Sequence, residues 1–132
     1  MTRKAATGRG APENIAVRRA YAAPAGVDGY RVLVDRHWPR GCRREALNIA
    51  EWAQDIAPTA ALLRWYGHDP ARWSGFERRY RRELADLAQQ QRLRALLEAA
   101  GGLRITLVYG SRDERHNQAV ILREVLMQLS RG

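Results

Sequence analysis

Asp35-Arg36-His37-Trp38-Pro39-Arg40 brings a carboxylate, two guanidinium groups, an imidazole and an indole into six consecutive positions. A carboxylate can act as general acid or base, and guanidinium forks grip phosphate or carboxylate through paired hydrogen bonds. Pro39 and the following Gly41 set the shape of the loop. The segment emerges from Val32-Leu33-Val34, a short apolar, mostly β-branched run suited to a strand covered on both faces. In an open α/β sheet, the loop leaving a strand's carboxyl end is where ligands are usually held. The plainer role for Asp35, Arg36 and Arg40 is an ion pair bracing the loop while Trp38 fills the core.

A second group follows another strand-like run, Leu103 to Tyr109. Gly110 supplies a turn, and Ser111-Arg112-Asp113-Glu114 fits a capping box opening a helix. Free N–H groups and the helix dipole make such a corner attractive to anions. Asp113 and Asn117 lie four apart and would share one helical face. The plainer role here is ordinary capping. His68, beside Asp69 and near Trp65, is a third candidate, since imidazole transfers protons near neutral pH. The expected assignments are therefore Asp35, Asp113 and His68 as acid or base groups, with His68 also orienting the ligand. Arg36 and Arg40 would hold an anion, and Tyr109, Ser111 and Asn117 would bind and orient it. Three scattered histidines and one cysteine give no metal-ligand spacing, so no metal and no cofactor is expected.

Several elements must place these groups. Asn14 to Arg18 alternates like a strand, and Tyr21 to Gly29 reads as loop. Tyr30 to Asp35 is the second strand, reached without a helix, either by a long crossing or as an antiparallel neighbour. Arg43 to Ala57 reads as a helix stopped by Pro58. Thr59 caps a helix from Ala60 to Tyr66 ended by Gly67, and Asp69-Pro70 starts another. Trp73, Phe76, Tyr80, Leu84 and Leu87 form its apolar face. Gln89-Gln90-Gln91 marks a weak point before Leu93, Leu96 and Leu97 resume a helix ended by Gly101-Gly102. The last helix runs from the capping box to about Gln128. The expected fold class is α/β: a small three-layer domain over 14–132, with a short, mostly parallel sheet and four or five helices. Should the strands before Asp35 and Gly110 be parallel neighbours, their loops would share one crevice.

The chain carries a net charge of +9, which suits nucleic-acid binding as well as smaller anions. Lys4 is its one lysine, and an arginine-and-alanine bias also follows from a GC-rich genome. Two functions are thus in view. One is a site for an anionic small molecule, phosphate- or nucleotide-like, either for binding alone or as that of a hydrolase or transferase. The other is a nucleic-acid or protein-binding module using arginines such as Arg78, Arg79, Arg81 and Arg82. No run approaches the ~20 apolar residues of a membrane helix. Residues 1–13 are basic without an apolar stretch, so a disordered tail, no secretory signal and a cytoplasmic address are expected.

Asp28-Gly29-Tyr30-Arg31-Val32-Leu33-Val34-Asp35-Arg36-His37-Trp38-Pro39-Arg40-Gly41 resembles the signature of the YeaO-like family, a branch of the domain-of-unknown-function 488 proteins. The resemblance extends to Trp52 with Ile56-Ala57-Pro58 and to Leu63 through Pro70 with Trp73, Phe76 and Tyr80. It continues in Thr106 through Tyr109 with Asp113, Asn117 and Ala119, and so covers nearly the whole chain after residue 13. It implies a small bacterial cytoplasmic α/β protein whose activity is not established. His37 and Cys42 stand where that family usually has apolar or small aliphatic residues, which weakens a His37 base or a Cys42 nucleophile.

Overall fold

A computed structural model describes residues 14–132. The expected basic tail over 1–13 lies outside the described residues. Four strands form one sheet: β1 (Ile15–Arg19), β2 (Tyr30–Leu33), β3 (Glu51–Trp52) and β4 (Ile105–Tyr109). Their order is β1-β4-β2-β3 and every pairing is parallel. The connection from β1 to β2 is therefore a long crossing, and the two strands are separated by β4. Among the described residues five α-helices accompany them: α1 (Arg44–Leu47), α2 (Ala60–Tyr66), α3 (Trp73–Leu84), α4 (Leu87–Ala100) and α5 (Gln118–Arg131).

Strand alternation divides the buried residues between two faces. Val32, Val34, Leu107 and Tyr109 join the main core with Ile56, Leu62, Tyr66, Phe76, Tyr80, Leu93, Ile121 and Leu126 from the covering elements. Leu33 and Val108 face the other way, into a smaller core with Ala20 and Leu47, flanked by Trp38, Ile49 and Trp52. The third layer is thus thin, made of α1 and the surrounding loop. Each fully buried aliphatic or aromatic side chain contributes roughly 1.5–3 kcal/mol relative to exposure.

Beneath the thin layer lies a buried ion pair. Arg31 Nη1 donates to Asp28 Oδ2 at 2.6 Å, and both residues are 3% exposed. The same guanidinium also donates to the Leu47 and Asn48 carbonyl oxygens. This arrangement ties the β1–β2 crossing to β2 and to the end of α1. Gly29 completes the crossing at φ 69°, where a Cβ would collide with the Arg104 carbonyl oxygen, so the position demands glycine.

Three expected elements take another form. The helix expected over Arg43 to Ala57 is limited to α1. Asn48 adopts the left-handed conformation at φ 51°, Arg31 claims the adjoining carbonyls, and Trp52 joins β2 as part of an edge strand. A short 3-10 turn, Gln54–Ile56, follows and sends Ile56 to the main core. Alternating apolar residues here serve two different faces rather than one helical stripe. The pause expected at Gln89-Gln90-Gln91 falls earlier, at Ala85 and Asp86, because the Asp86 carboxylate caps α4 by accepting from Ala88 N–H. The three glutamines are helical, and Gln90 donates to the Leu84 carbonyl at the end of α3.

The capping box expected at Ser111 and Glu114 does not open α5 either. Residues 111–117 contain no apolar side chain that could anchor a helical turn to the core. Instead Ser111 Oγ accepts from Asp113 N–H, and Asp113 Oδ1 accepts from the Arg115 and His116 N–H groups. Asn117 is the true cap, its Oδ1 accepting from Ala119 and Val120 N–H. The apolar face begins only at Ala119.

Candidate functional site

The residues just past β2 and β4 meet because those strands are parallel neighbours, with Leu33 opposite Val108. One more backbone bond, Val34 N–H to the Val108 carbonyl at 3.0 Å, carries the pairing beyond the strand end. Asp35 then lies against Gly110. Its Oδ2 accepts from Gly110 N–H at 2.9 Å, and its Oδ1 accepts from Gln118 Nε2 at 2.6 Å. A Cβ at Gly110 would stand 2.8 Å from Asp35 Oδ2, so glycine here makes the close approach possible. Burial pushes the Asp35 carboxyl up to about 6, against the lowering effects of Gly110, Gln118 and the nearby His37.

The loop between Asp35 and Gly41 is held from several sides. Trp52 Nε1 donates to the Asp35 carbonyl at 2.8 Å, and Gln54 Nε2 donates to the Arg36 carbonyl at 2.8 Å. Arg36 Nε donates to the Pro58 carbonyl at 2.8 Å. Trp38 crosses Trp52 edge to face at 5.4 Å and donates Nε1 to the Cys42 carbonyl at 2.7 Å. Tyr21 reaches from the β1–β2 crossing to donate its hydroxyl to the Arg40 carbonyl.

Beside this loop is an open cavity of about 540 Å³. Asp35, Arg36, Arg40, His68 and Ser111 all line it, as do Arg64, Tyr66 and Gln118. Arg40 and Arg64 are exposed and have no side-chain hydrogen-bond or ion-pair partner among the described residues. His68 stands at the rim with φ 57°, its ring 6.2 Å from that of Tyr66. Three guanidiniums thus border a cavity whose lining contains one carboxyl group, itself half-protonated near pH 6.

Asp113, Tyr109 and Asn117 do not line this cavity. Tyr109 is buried in the main core, and its hydroxyl is pushed up first by burial and then by Glu114. Asn117 is buried, capping α5 and donating Nδ2 to the Asp113 carbonyl at 2.9 Å. Asp113 organises the turn, and its carboxyl is held below the ordinary range by Arg115 N–H and by His116. Asp113 Oδ2 lies 3.0 Å from His116 Nδ1, and the His116 ring meets Trp73 edge to face at 5.1 Å.

Reading the sequence did not bring Gln118, Arg64 or Tyr66 into the site. Gln118 looked interior to a helix that actually begins with it. Arg64 and Tyr66 sit on α2, whose docking against the loop has no local signal in the sequence. Among the described residues, no group of three or more metal-ligating side chains is gathered.

These features define a small α/β protein with a parallel sheet and an arginine-bordered cavity where two strand-end loops meet. Residues 14–131 match the family described as the inactive DUF488-N3 subclade. The chain is 34% identical over 117 residues to Uncharacterized protein YeaO of Escherichia coli, covering 88% of this chain and 99% of that protein. It is 38% identical over 112 residues to Uncharacterized protein Rv3073c of Mycobacterium tuberculosis, covering 85% and 92% respectively. No solved structure matches it significantly. The chain belongs to the inactive DUF488-N3 subclade and is a YeaO-like member of the DUF488 family. Among the described residues, no helix is long and apolar enough to cross a membrane.

Proposed function

We propose that this protein binds a small phosphate-bearing anion, nucleotide-like in size, in the cavity between the 35–41 loop and the Gly110–Ser111 corner. The observation that carries the reading is the charge balance of the lining: Arg36, Arg40 and Arg64 face one carboxyl group, Asp35. Arg40 and Arg64 are not committed to other side chains, so their forks are free to take a phosphate. A volume of about 540 Å³ lies within the range of small-molecule sites. Gly110 N–H and Gln118 hold Asp35 in place, and protonation of its carboxyl below about pH 6 removes the one negative charge that opposes an anion. His68 and Tyr66 offer an imidazole and an aromatic edge for the remainder of the ligand. The family's description as inactive favours binding without turnover. A hydrolase or transferase reading draws support from Asp35 alone, a carboxyl tuned toward neutral pH at a strand exit. Placement in the cytoplasm is part of the same proposal, in keeping with a single cysteine and no expected disulfide.

Calorimetric titration with inorganic phosphate and a set of nucleoside monophosphates tests it. Losing one charge-assisted contact costs about 1.5–3 kcal/mol, so Arg40→Ala and Arg64→Ala should each weaken binding about 10-fold to 100-fold. Arg94→Ala, exposed on α4, should leave it unchanged. If no phosphate-bearing probe binds, or if Arg40→Ala and Arg64→Ala bind as the parent does, the proposal fails. Phosphorus NMR of the same mixtures separates binding from turnover: unchanged probe supports binding alone, and a new phosphorus signal that vanishes in Asp35→Asn supports the enzymatic reading.

A further inference from the structure

The exposed face formed by α2 and α3 carries a second cationic surface, separate from the cavity. Trp65, near the end of α2, lies half-buried with the Arg79 guanidinium carbon 4.1 Å and the Arg72 guanidinium carbon 5.4 Å from its ring centroid. Arg72 also donates to the Trp65 carbonyl and lies 3.8 Å from Asp69. Gly75 makes the stack possible, since a Cβ there would come within 2.7 Å of Trp65 Cη2. On a helix of 3.6 residues per turn, positions 75, 79 and 82 share one face. Arg79 and Arg82 therefore project from the same side as the indole, with Arg78 adjacent.

A groove of about 360 Å³ between α2 and α3 is lined by Trp65, Arg79, Arg82 and Glu83, among others. Glu83 is the acid of this groove, and it is engaged: its carboxylate accepts from the Thr59 N–H and hydroxyl at the start of α2. Arg81, in contrast, does not belong to the surface. It turns to the other side of α3 and is held by Glu77 and Glu124. Arg79 and Arg82 have no acidic partner among the described residues.

We infer that this face binds the phosphodiester backbone of a single-stranded nucleic acid, through Arg78, Arg79 and Arg82. Arg79, resting on the indole, is already ordered, so less rotamer freedom is lost when its N–H groups meet a phosphate. The exposed large apolar side chains Tyr21, Val27, Leu87 and Leu103 belong to other segments. The one aromatic ring of this face, Trp65, is half-buried and overlain by Arg79 and Arg72, so guanidinium groups rather than an open apolar centre or an inserting side chain meet a partner first. Guanidiniums grouped around a half-buried indole fit a single strand, whose backbone the cations follow and whose unstacked bases have faces open to an aromatic ring, without reading sequence.

The test is fluorescence anisotropy of labelled dT20 and U20 on the full chain, repeated between 50 and 200 mM salt. Three phosphate contacts give a slope of log K against log salt of about −2, and hence roughly a 20-fold loss across that range. The double variant Arg79→Ala/Arg82→Ala should reduce the slope by about 1.4, and equally for DNA and RNA. A control that removes the same charge from other exposed positions, Arg94→Ala/Arg104→Ala, should change it little. Arg40→Ala should weaken phosphate binding in the cavity without altering the dT20 slope, so the two sites fail separately. Failure of both oligonucleotides to bind overturns the inference, as does an equal loss in the control variant. Tighter binding of poly-glutamate than of dT20 also overturns it, in favour of an acidic protein partner.

Discussion

Asp35 is the residue on which the candidate site turns, because its carboxyl is buried enough to hold a proton and accessible enough to line the cavity. Its pH effect has a definite sign. The folded chain holds the Asp35 proton up to about pH 6, while the unfolded chain releases it near the ordinary value of 3.8. The folded state therefore binds more protons in that window, and stability falls as pH rises through it. A difference of this size corresponds to about 3 kcal/mol at most. Denaturant unfolding followed from pH 4 to pH 7 should show this decline, and Asp35→Asn should flatten it. Gly110→Ala is the companion change. Its Cβ would displace the Asp35 carboxylate and break the Gly110 N–H bond, with a destabilisation of about 1–3 kcal/mol expected by thermal unfolding. Parent-like stability in Gly110→Ala would show that the carboxylate does not depend on that contact.

Much of this residue chemistry is legible in the sequence. The Asp35–Gly41 loop announces itself by composition, and Asp35, Arg36, Arg40, His68 and Ser111 do reach one cavity. Asp113 and Asn117 were also conspicuous, but short polar side chains satisfy nearby N–H groups as readily as they bind ligands. What they do here is shape the approach to α5.

Elements with a local chemical signature are the ones that sequence reading places well. Thr59 accepts from Leu62 N–H and Asp69 from Ala71 N–H, both as caps, and Gly67 ends α2 in the left-handed conformation. Elements decided by distant partners are placed poorly. The segment from Arg43 to Ala57 is divided by Arg31, which contacts Leu47 and Asn48 from a different strand, and no pattern within the segment records that. Asp28 is consequently a strong test of the element scale. Burial raises its carboxyl, but Ala25 N–H, Arg31 and Arg18 together hold it below the ordinary range. Its contribution has the opposite sign to that of Asp35: it is present above the ordinary carboxylate range and lost as pH falls through the lowered value. Asp28→Ala leaves Arg31 buried without its carboxylate partner, and a loss of about 3–5 kcal/mol is expected in urea unfolding. Asn117→Ala, which removes the α5 cap, should cost about 1–2 kcal/mol in the same measurement.

At the scale of the whole molecule, the order β1-β4-β2-β3 is what converts two separate loops into one site. Sequence reading leaves that order open, because parallel neighbours are chosen by crossover geometry and packing, not by residues adjacent in the chain. The net charge of +9 also acquires meaning only in three dimensions. Some arginines brace the structure, as Arg31 and Arg81 do, while Arg40, Arg64, Arg79 and Arg82 remain available at the surface. The central claim is that the strand-end cavity takes a phosphate-bearing anion, and amide NMR during a titration with inorganic phosphate tests it most directly. The account predicts that the amides of Arg36, His37, Trp38, Arg40, Arg64, Gly110, Ser111 and Gln118 shift together and saturate. Saturating shifts confined to other parts of the molecule, or no shift at these amides, would contradict it.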